Sequence, residues 1–182
     1  NAAPDTYGYV IYGLIGGFWI PIDTVWGINV TTYEYTGTLS GTMPESFRVT
    51  AFDSCLTDIF PPTYQTSALS LPHTTIYLEN ELEICDRDIT LNWTPYEGWA
   101  EGVDRYEIIV SIAGIPYDIV GSVGPDEFTY THEDLVYDVN YCYYIRAVSA
   151  NDSISYSNKN CRFVQRPSQA SFHYLASASH NL

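Results

Sequence analysis

The run Tyr141-Cys142-Tyr143-Tyr144-Ile145-Arg146-Ala147 decides the fold class. Tyr141, Tyr143, Ile145 and Ala147 share one face of an extended chain, and Cys142, Tyr144 and Arg146 share the other. A period of two is the mark of a strand with one face on a core and the other toward solvent. Phe47-Arg48-Val49-Thr50-Ala51 stands 96 residues earlier (143 − 47) and repeats the pattern. Working outward, Gly8-Tyr9-Val10-Ile11-Tyr12 matches Arg105-Tyr106-Glu107-Ile108-Ile109, and Val25-Trp26-Gly27 matches Ser122-Val123-Gly124. Thr31-Thr32-Tyr33-Glu34-Tyr35 matches Phe128-Thr129-Tyr130-Thr131-His132. The offset stays at 96 or 97 residues throughout, so the chain carries two copies of one unit.

Each copy has the size of an immunoglobulin-like sandwich, roughly 100 residues. The second copy reads as complete. Strand A is expected near Leu78–Ile84, B at Ile89–Thr94, C at Asp104–Ile112 and C′ at Pro116–Val123. Strands E, F and G follow at Glu127–His132, Tyr141–Ser149 and Ile154–Val164. The first copy starts at its strand C, with no counterpart of A and B before Asn1. Such a sandwich exposes an edge and half its core. Either the missing strands belong to an upstream stretch of a parent chain, or the unit closes without them; the first reading is preferred. Arg166-Pro167 reads as a boundary, and Ser171-Phe172-His173-Tyr174-Leu175 as a new strand. The division expected is therefore 1–79 for the first module, 80–165 for the second, and 166–182 for a linker and the start of a third.

Composition agrees with an all-β chain. Seventeen tyrosines among 182 residues suit pleated, half-buried surfaces, and no stretch keeps a helical period. The formal net charge of −15 repels phosphate backbones and anionic lipid surfaces, which argues against nucleic acid as a partner. No apolar run approaches the ~20 residues of a spanning helix, so membrane insertion is not expected. The first residue is Asn1, so a processed chain or an internal fragment is expected.

The motifs of catalysis are sought without success. His73, His132, His173 and His180 are scattered at no metal-ligand spacing, and His73 and His132 read as surface or turn residues. No nucleophile elbow, phosphate loop or dinucleotide fingerprint occurs. Carboxylates gather at Glu79–Asp88, Asp126-Glu127 and Glu133-Asp134, on expected turns and edges. The expectation is no catalytic residue, no cofactor and no metal site. The four cysteines lack C-x-x-C spacing. A hairpin turning near Asn151-Asp152 sets Cys142 opposite Cys161 on the outward face, where a disulfide fits; Cys55 and Cys85 stay unassigned. Trp99, Tyr96, Trp19 and Trp26 are the candidates for ligand-facing aromatics, with Trp99 in the B–C loop foremost.

The second copy resembles the fibronectin type III family. The carriers are Trp93 on strand B, Leu135 followed six residues later by Tyr141, and the run Tyr141–Ala147. In that family the Leu-to-Tyr spacing marks a tyrosine corner, whose hydroxyl bonds back to nearby backbone. Glu45 stands where the first copy needs that tyrosine, so its corner is expected to be lost. A narrower resemblance covers most of the chain. Gly8–Tyr12, Phe47–Cys55, His73–Leu78, Leu91–Trp99, Tyr141–Val148 and Ser157–Cys161 are similar, in this order, to segments of large secreted proteins of gliding bacteria. That resemblance implies sandwich modules upstream of a type IX sorting domain. It gives the leading expectation: a non-catalytic spacer or adhesin segment, extracellular or at the cell surface. Its partners would be neighbouring modules of the same chain, with other surface proteins or glycans. The alternative is a carbohydrate-binding accessory region of a secreted glycoside hydrolase.

Overall fold

The computed structural model describes residues 5–59 and 62–167, and every regular element among them is a β-strand. The first unit holds β1 (Thr6–Ile15), β2 (Phe18–Trp26), β3 (Ser46–Ile59), β4 (Pro62–Thr66) and β5 (His73–Thr74). Gly16 and Gly17 turn the β1–β2 hairpin at φ of +59° and +85°, left-handed backbone that glycine adopts without strain. The strands form one antiparallel sheet in the order β2-β1-β3-β4, with β5 also on β3.

The second unit holds β6 (Leu78–Glu83), β7 (Asp88–Trp93), β8 (Arg105–Ile112), β9 (Asp118–Val123), β10 (Thr129–His132), β11 (Val139–Val148), β12 (Ile154–Tyr156) and β13 (Asn160–Val164). Two sheets form, β10-β7-β6 and β9-β8-β11-β12, with β13 also on β11. In strand letters these are E-B-A and C′-C-F-G, the two-sheet arrangement of an immunoglobulin-like sandwich of fibronectin type III topology. Each outer bound lies within two residues of the range read from the sequence. The fold is all-β, and the first unit's sheet reproduces the C′-C-F-G half.

Strand G differs from the sequence expectation by breaking at Ser157-Asn158-Lys159. The break has a use. Asn158 accepts from the Leu78 amide at 2.6 Å and donates to the Leu78 carbonyl at 3.1 Å, while Asn160 donates to the same carbonyl at 3.0 Å. These bonds satisfy the edge of β6 and close the sandwich along one side. Ser157 keeps the ladder going across the gap: its Oγ accepts from the Ile145 amide and its amide donates to the Ile145 carbonyl, both at 2.9 Å. Ser70 does the same to Val49 in the first unit, at 3.0 and 2.8 Å. The repeat therefore continues into strand G, but there the offset falls to 87 residues (157 − 70), against 96 on strand F (145 − 49).

Thr31–Tyr35 is not the strand expected there. β10 exists in the second unit because it pairs with β7, Tyr130 opposite Leu91 and His132 opposite Ile89. The described part of the first unit offers no strand B to pair with. The segment lies over the inner face of the sheet instead. Tyr35 packs edge-on against Phe47 at 5.9 Å, and Val30–Tyr33 line a hollow of about 360 Å³ with Tyr9, Ile11, Val25 and Val49.

The two units cover their inner faces unequally: Ile11 is buried on the inner face of the first sheet, but Val49 opposite it is open. On β11 the inward Tyr143, Ile145 and Ala147 are each 0% exposed. They join Ile76, Leu78, Ile89, Leu91, Trp93, Tyr106, Ile108 and Leu135 in one core. On β3 the matching inward residue Val49 is 40% exposed, while the outward Thr50 and Phe52 are 3% exposed. Ile76 and Leu78 belong to the second core, so packing starts that unit before the 79/80 division expected from sequence. An inward-facing residue of strand A cannot be parted from the sheet it covers. The expected strand at Ser171–Leu175 lies outside the described residues.

Candidate functional site

The four nominated aromatics do not converge. Trp19 and Trp26 lie on the outer face of the first sheet, and Tyr96 and Trp99 at the junction between units. Arg48 stacks its guanidinium 4.5 Å from the Trp19 ring. Trp26 meets Phe52, Tyr7 and Tyr64 edge-on at 5.0, 5.4 and 6.1 Å. These four rings satisfy one another and form a small outer core for a sheet whose inner face is poorly covered. Gly8 lets the cluster form, because a Cβ there would stand 2.6 Å from the Phe52 ring.

Tyr96 and Trp99 lie 4.2 Å apart, half-buried against the core of the second unit. Tyr96 shares a hydrogen bond of 2.6 Å with His73 Nδ1, and burial pushes its phenol pKa up. Thr74 donates its amide to the Glu97 carbonyl at 2.8 Å, and Glu97 returns the bond at 3.5 Å. β5, paired with β3 on the first sheet, therefore also bridges to the B–C loop of the second unit. Gly98 permits the approach: its φ is +138°, and a Cβ would sit 2.5 Å from His73 Nδ1. Trp99 packs on Tyr96 and against the core of the second unit. His73 is a junction residue.

Tyr141 makes its corner, accepting from the Val136 amide at 2.9 Å beside the buried Leu135. The first unit's corner is replaced, contrary to the expected loss. Leu39 and Glu45 stand 96 residues before Leu135 and Tyr141. The Glu45 carboxylate accepts from the Leu39 amide at 2.9 Å and from the Thr38 hydroxyl. A carboxylate oxygen serves where a phenol oxygen does, since both are acceptors.

Cys142 and Cys161 are bonded as a disulfide, directly opposite each other on β11 and β13 with Cα atoms 4.0 Å apart. Cys55 on β3 and Cys85 in the β6–β7 turn are exposed free thiols. His132, expected at the surface, is half-buried. Its ring packs edge-on to Tyr141 and Tyr143, each at 5.9 Å, and bonds the Tyr143 hydroxyl at 2.9 Å. Burial holds its pKa below the ordinary value. Among the described residues no three His, Cys, Asp or Glu side chains gather as metal ligands would.

A groove lies on the outer face of the β9-β8-β11-β12 sheet. It has a volume of about 720 Å³ and is lined by Ile109, Tyr117, Asp118, Ile119, Tyr144, Arg146 and Tyr156. Tyr117 folds across the sheet, its ring 4.9 Å from that of Tyr144, and Lys159 Nζ stands 5.8 Å from its centroid. Beneath lies an ion cluster. Glu107 accepts from Arg105 Nε at 2.9 Å and from Arg146 Nε at 2.6 Å. Burial pushes the Glu107 carboxyl up, but the two arginines outweigh it and hold it below the usual range. The signal was present as the polar half of the alternation: Tyr144 and Arg146 occupy strand F's outward positions.

No protein-family model matches the chain, and no curated protein does. Solved structures give partial likenesses. The three-domain FN1–FN3 fragment of chicken CNTN1 is 15% identical over 89% of this chain and 55% of its own length, with a TM-score of 0.43. A segment of two fibronectin type III domains from chicken tenascin is 14% identical over 85% of this chain and 82% of its own, at 0.35. Pectate lyase PelI of Erwinia chrysanthemi, solved with tetragalacturonic acid, is 21% identical over 48% of this chain, at 0.42. The chain spans 28% of that lyase's length.

Proposed function

We propose that this chain is a non-catalytic spacer and interaction segment of a large secreted bacterial surface protein. Its two modules meet between β5 and Ile76, where the second core begins. The observation that carries the reading is the junction. A two-residue strand ladders onto β3 and bridges to Glu97, and His73 locks to Tyr96. A joint closed by backbone bonds transmits orientation, as a spacer must. The disulfide suits an oxidising, extracellular compartment. No described helix is long and apolar enough to cross a membrane. Export by the type IX route and a place at the cell surface follow from the resemblance to proteins of gliding bacteria.

Residual dipolar couplings on the 182-residue chain test the spacer role. One alignment tensor should fit both units. Gly98→Ala, which drives a methyl group into His73, should split the fit into two tensors while each unit keeps its fold. Two tensors in the unmodified chain would end the proposal.

A further inference from the structure

The outer-face groove has a built form that neither packing nor spacing requires. Its floor is Ile109, 7% exposed, beside the Arg146 guanidinium. One bank is the Tyr117–Tyr144 pair, and Tyr156 stands on the other. Tyr117 and Tyr156 are 43% and 48% exposed, so aromatic faces are offered to solvent rather than consumed by the core. Phenol hydroxyls and the Asp118 carboxylate stand around these faces as donors and acceptors.

Charge sets this face apart. The chain has seven Lys and Arg and a net charge of −15, yet Arg105, Arg146 and Lys159 all serve this one sheet face. Against them stand Glu107, Asp118 and, at the rim, Asp104, which leaves the face near neutral on an acidic molecule. Glu107 is taken up between Arg105 and Arg146. Lys159 has no carboxylate within ion-pair distance among the described residues; its ammonium rests over the Tyr117 ring.

Apolar rings flanked by hydroxyl-bonding groups match a pyranose, whose C–H face stacks on an aromatic ring while its hydroxyls bond outward. A cation at the lip of such a groove complements a carboxylate on the sugar. We propose that the groove between Tyr117, Tyr144 and Tyr156 binds an acidic polysaccharide built from uronate residues, with the sugar ring on Tyr117 and its carboxylate on Lys159. The proposal rests on reading the chain as an interaction segment, but its test is separate from that of the rigid junction.

The probes are a β-1,4-linked mannuronate hexamer and the neutral β-1,4-linked mannose hexamer, which differ at the C6 carboxylate. Each is titrated into the full chain and followed by NMR at low ionic strength. The mannuronate hexamer should shift resonances of Tyr117, Tyr144 and Tyr156 and bind roughly fivefold tighter than the neutral sugar, the effect of one exposed ion pair. Molar salt should erase the preference. Lys159→Met should abolish the preference while leaving weak binding of both sugars, and Tyr117→Ala should weaken both roughly tenfold. Both side chains are solvent-facing, and the Lys159 variant serves if the other misfolds. No shifts in the groove, equal affinity for the two hexamers, or a preference that survives Lys159→Met would each overturn the assignment.

Discussion

Val49 and Ile145 occupy the same inward position on strand F of the two units, 96 residues apart, and the structure assigns them opposite fates. Ile145→Ala removes three buried carbons, a transfer loss of ~2.4 kcal/mol at about 0.8 kcal/mol per group. Ile145 is 0% exposed and enclosed by two sheets, so a cavity cost adds to this, for a total of ~2–5 kcal/mol. Val49→Ala removes two carbons, worth ~1.6 kcal/mol if fully buried. Val49 is 40% exposed, so about three-fifths of that remains, ~1 kcal/mol, with no closed cavity to add. Phe52→Ala, on the opposite face of the same strand and 3% exposed, should cost ~3–5 kcal/mol. The expected order is Phe52 and Ile145 well above Val49. Urea unfolding followed by NMR reads each unit's transition through its own resonances. A Val49→Ala loss equal to that of Ile145→Ala would show the first sheet's inner face covered in solution. The opening of the inner face at Val49 would then be wrong.

Replacing Cys142 and Cys161 by serine should lower the stability of the second unit by ~3 kcal/mol, because the bridge closes a loop with a sequence separation of 19. For a unit of this size that is a melting shift of roughly 12–24 °C, and calorimetry showing a shift of a few degrees would refute the assignment. His132 has a folded pKa below its unfolded value near 6.5, so the unfolded chain binds its proton first as pH falls. Its contribution to stability should be full above pH ~6.5, fall as pH drops from there toward the depressed folded value, and level off beneath it. His132→Phe should flatten that slope in urea titrations, and an unchanged slope would count against it. Glu45→Ala strips the acceptor from the Leu39 amide and the Thr38 hydroxyl and should destabilise the first unit by ~1–2 kcal/mol, with Glu45→Gln recovering part. Faster amide exchange at Leu39 in Glu45→Ala is the direct readout, and unaltered exchange would remove the corner.

What the sequence made legible was backbone. Alternation at Tyr141–Ala147 located strand F, the 96-residue offset located its twin, and both rest on the strict period of side-chain direction. Position opposite Cys161 followed for Cys142 because a hairpin's register is fixed once its turn is placed. Three features escaped for physical reasons. Strand E of the first unit matched by pattern, but a strand is a paired object, and no sequence window at Thr31–Tyr35 reports that none of the described strands pairs with it. Glu45 looked like a broken corner because residue type was read in place of acceptor chemistry. The groove was hidden because alternation tells which residues face outward, but not that Tyr117 will cross the sheet to lie beside Tyr144.

The devices that the two units share are all backbone-directed: a serine hydroxyl in the F–G ladder, an acceptor closing the E–F corner, and a C′-C-F-G strand order. Their side chains have diverged in phase. The second unit places its large rings inward against a covering sheet. The first places Trp26, Phe52, Tyr7 and Tyr64 outward, where they cover one another. A single sheet is stable only if at least one face is dry. In the first sheet the outer face supplies that dryness, and Gly8 leaves the space that Phe52 fills. In the second unit the inner face already supplies the core, so Tyr117 and Tyr156 on its outer face stay open to solvent.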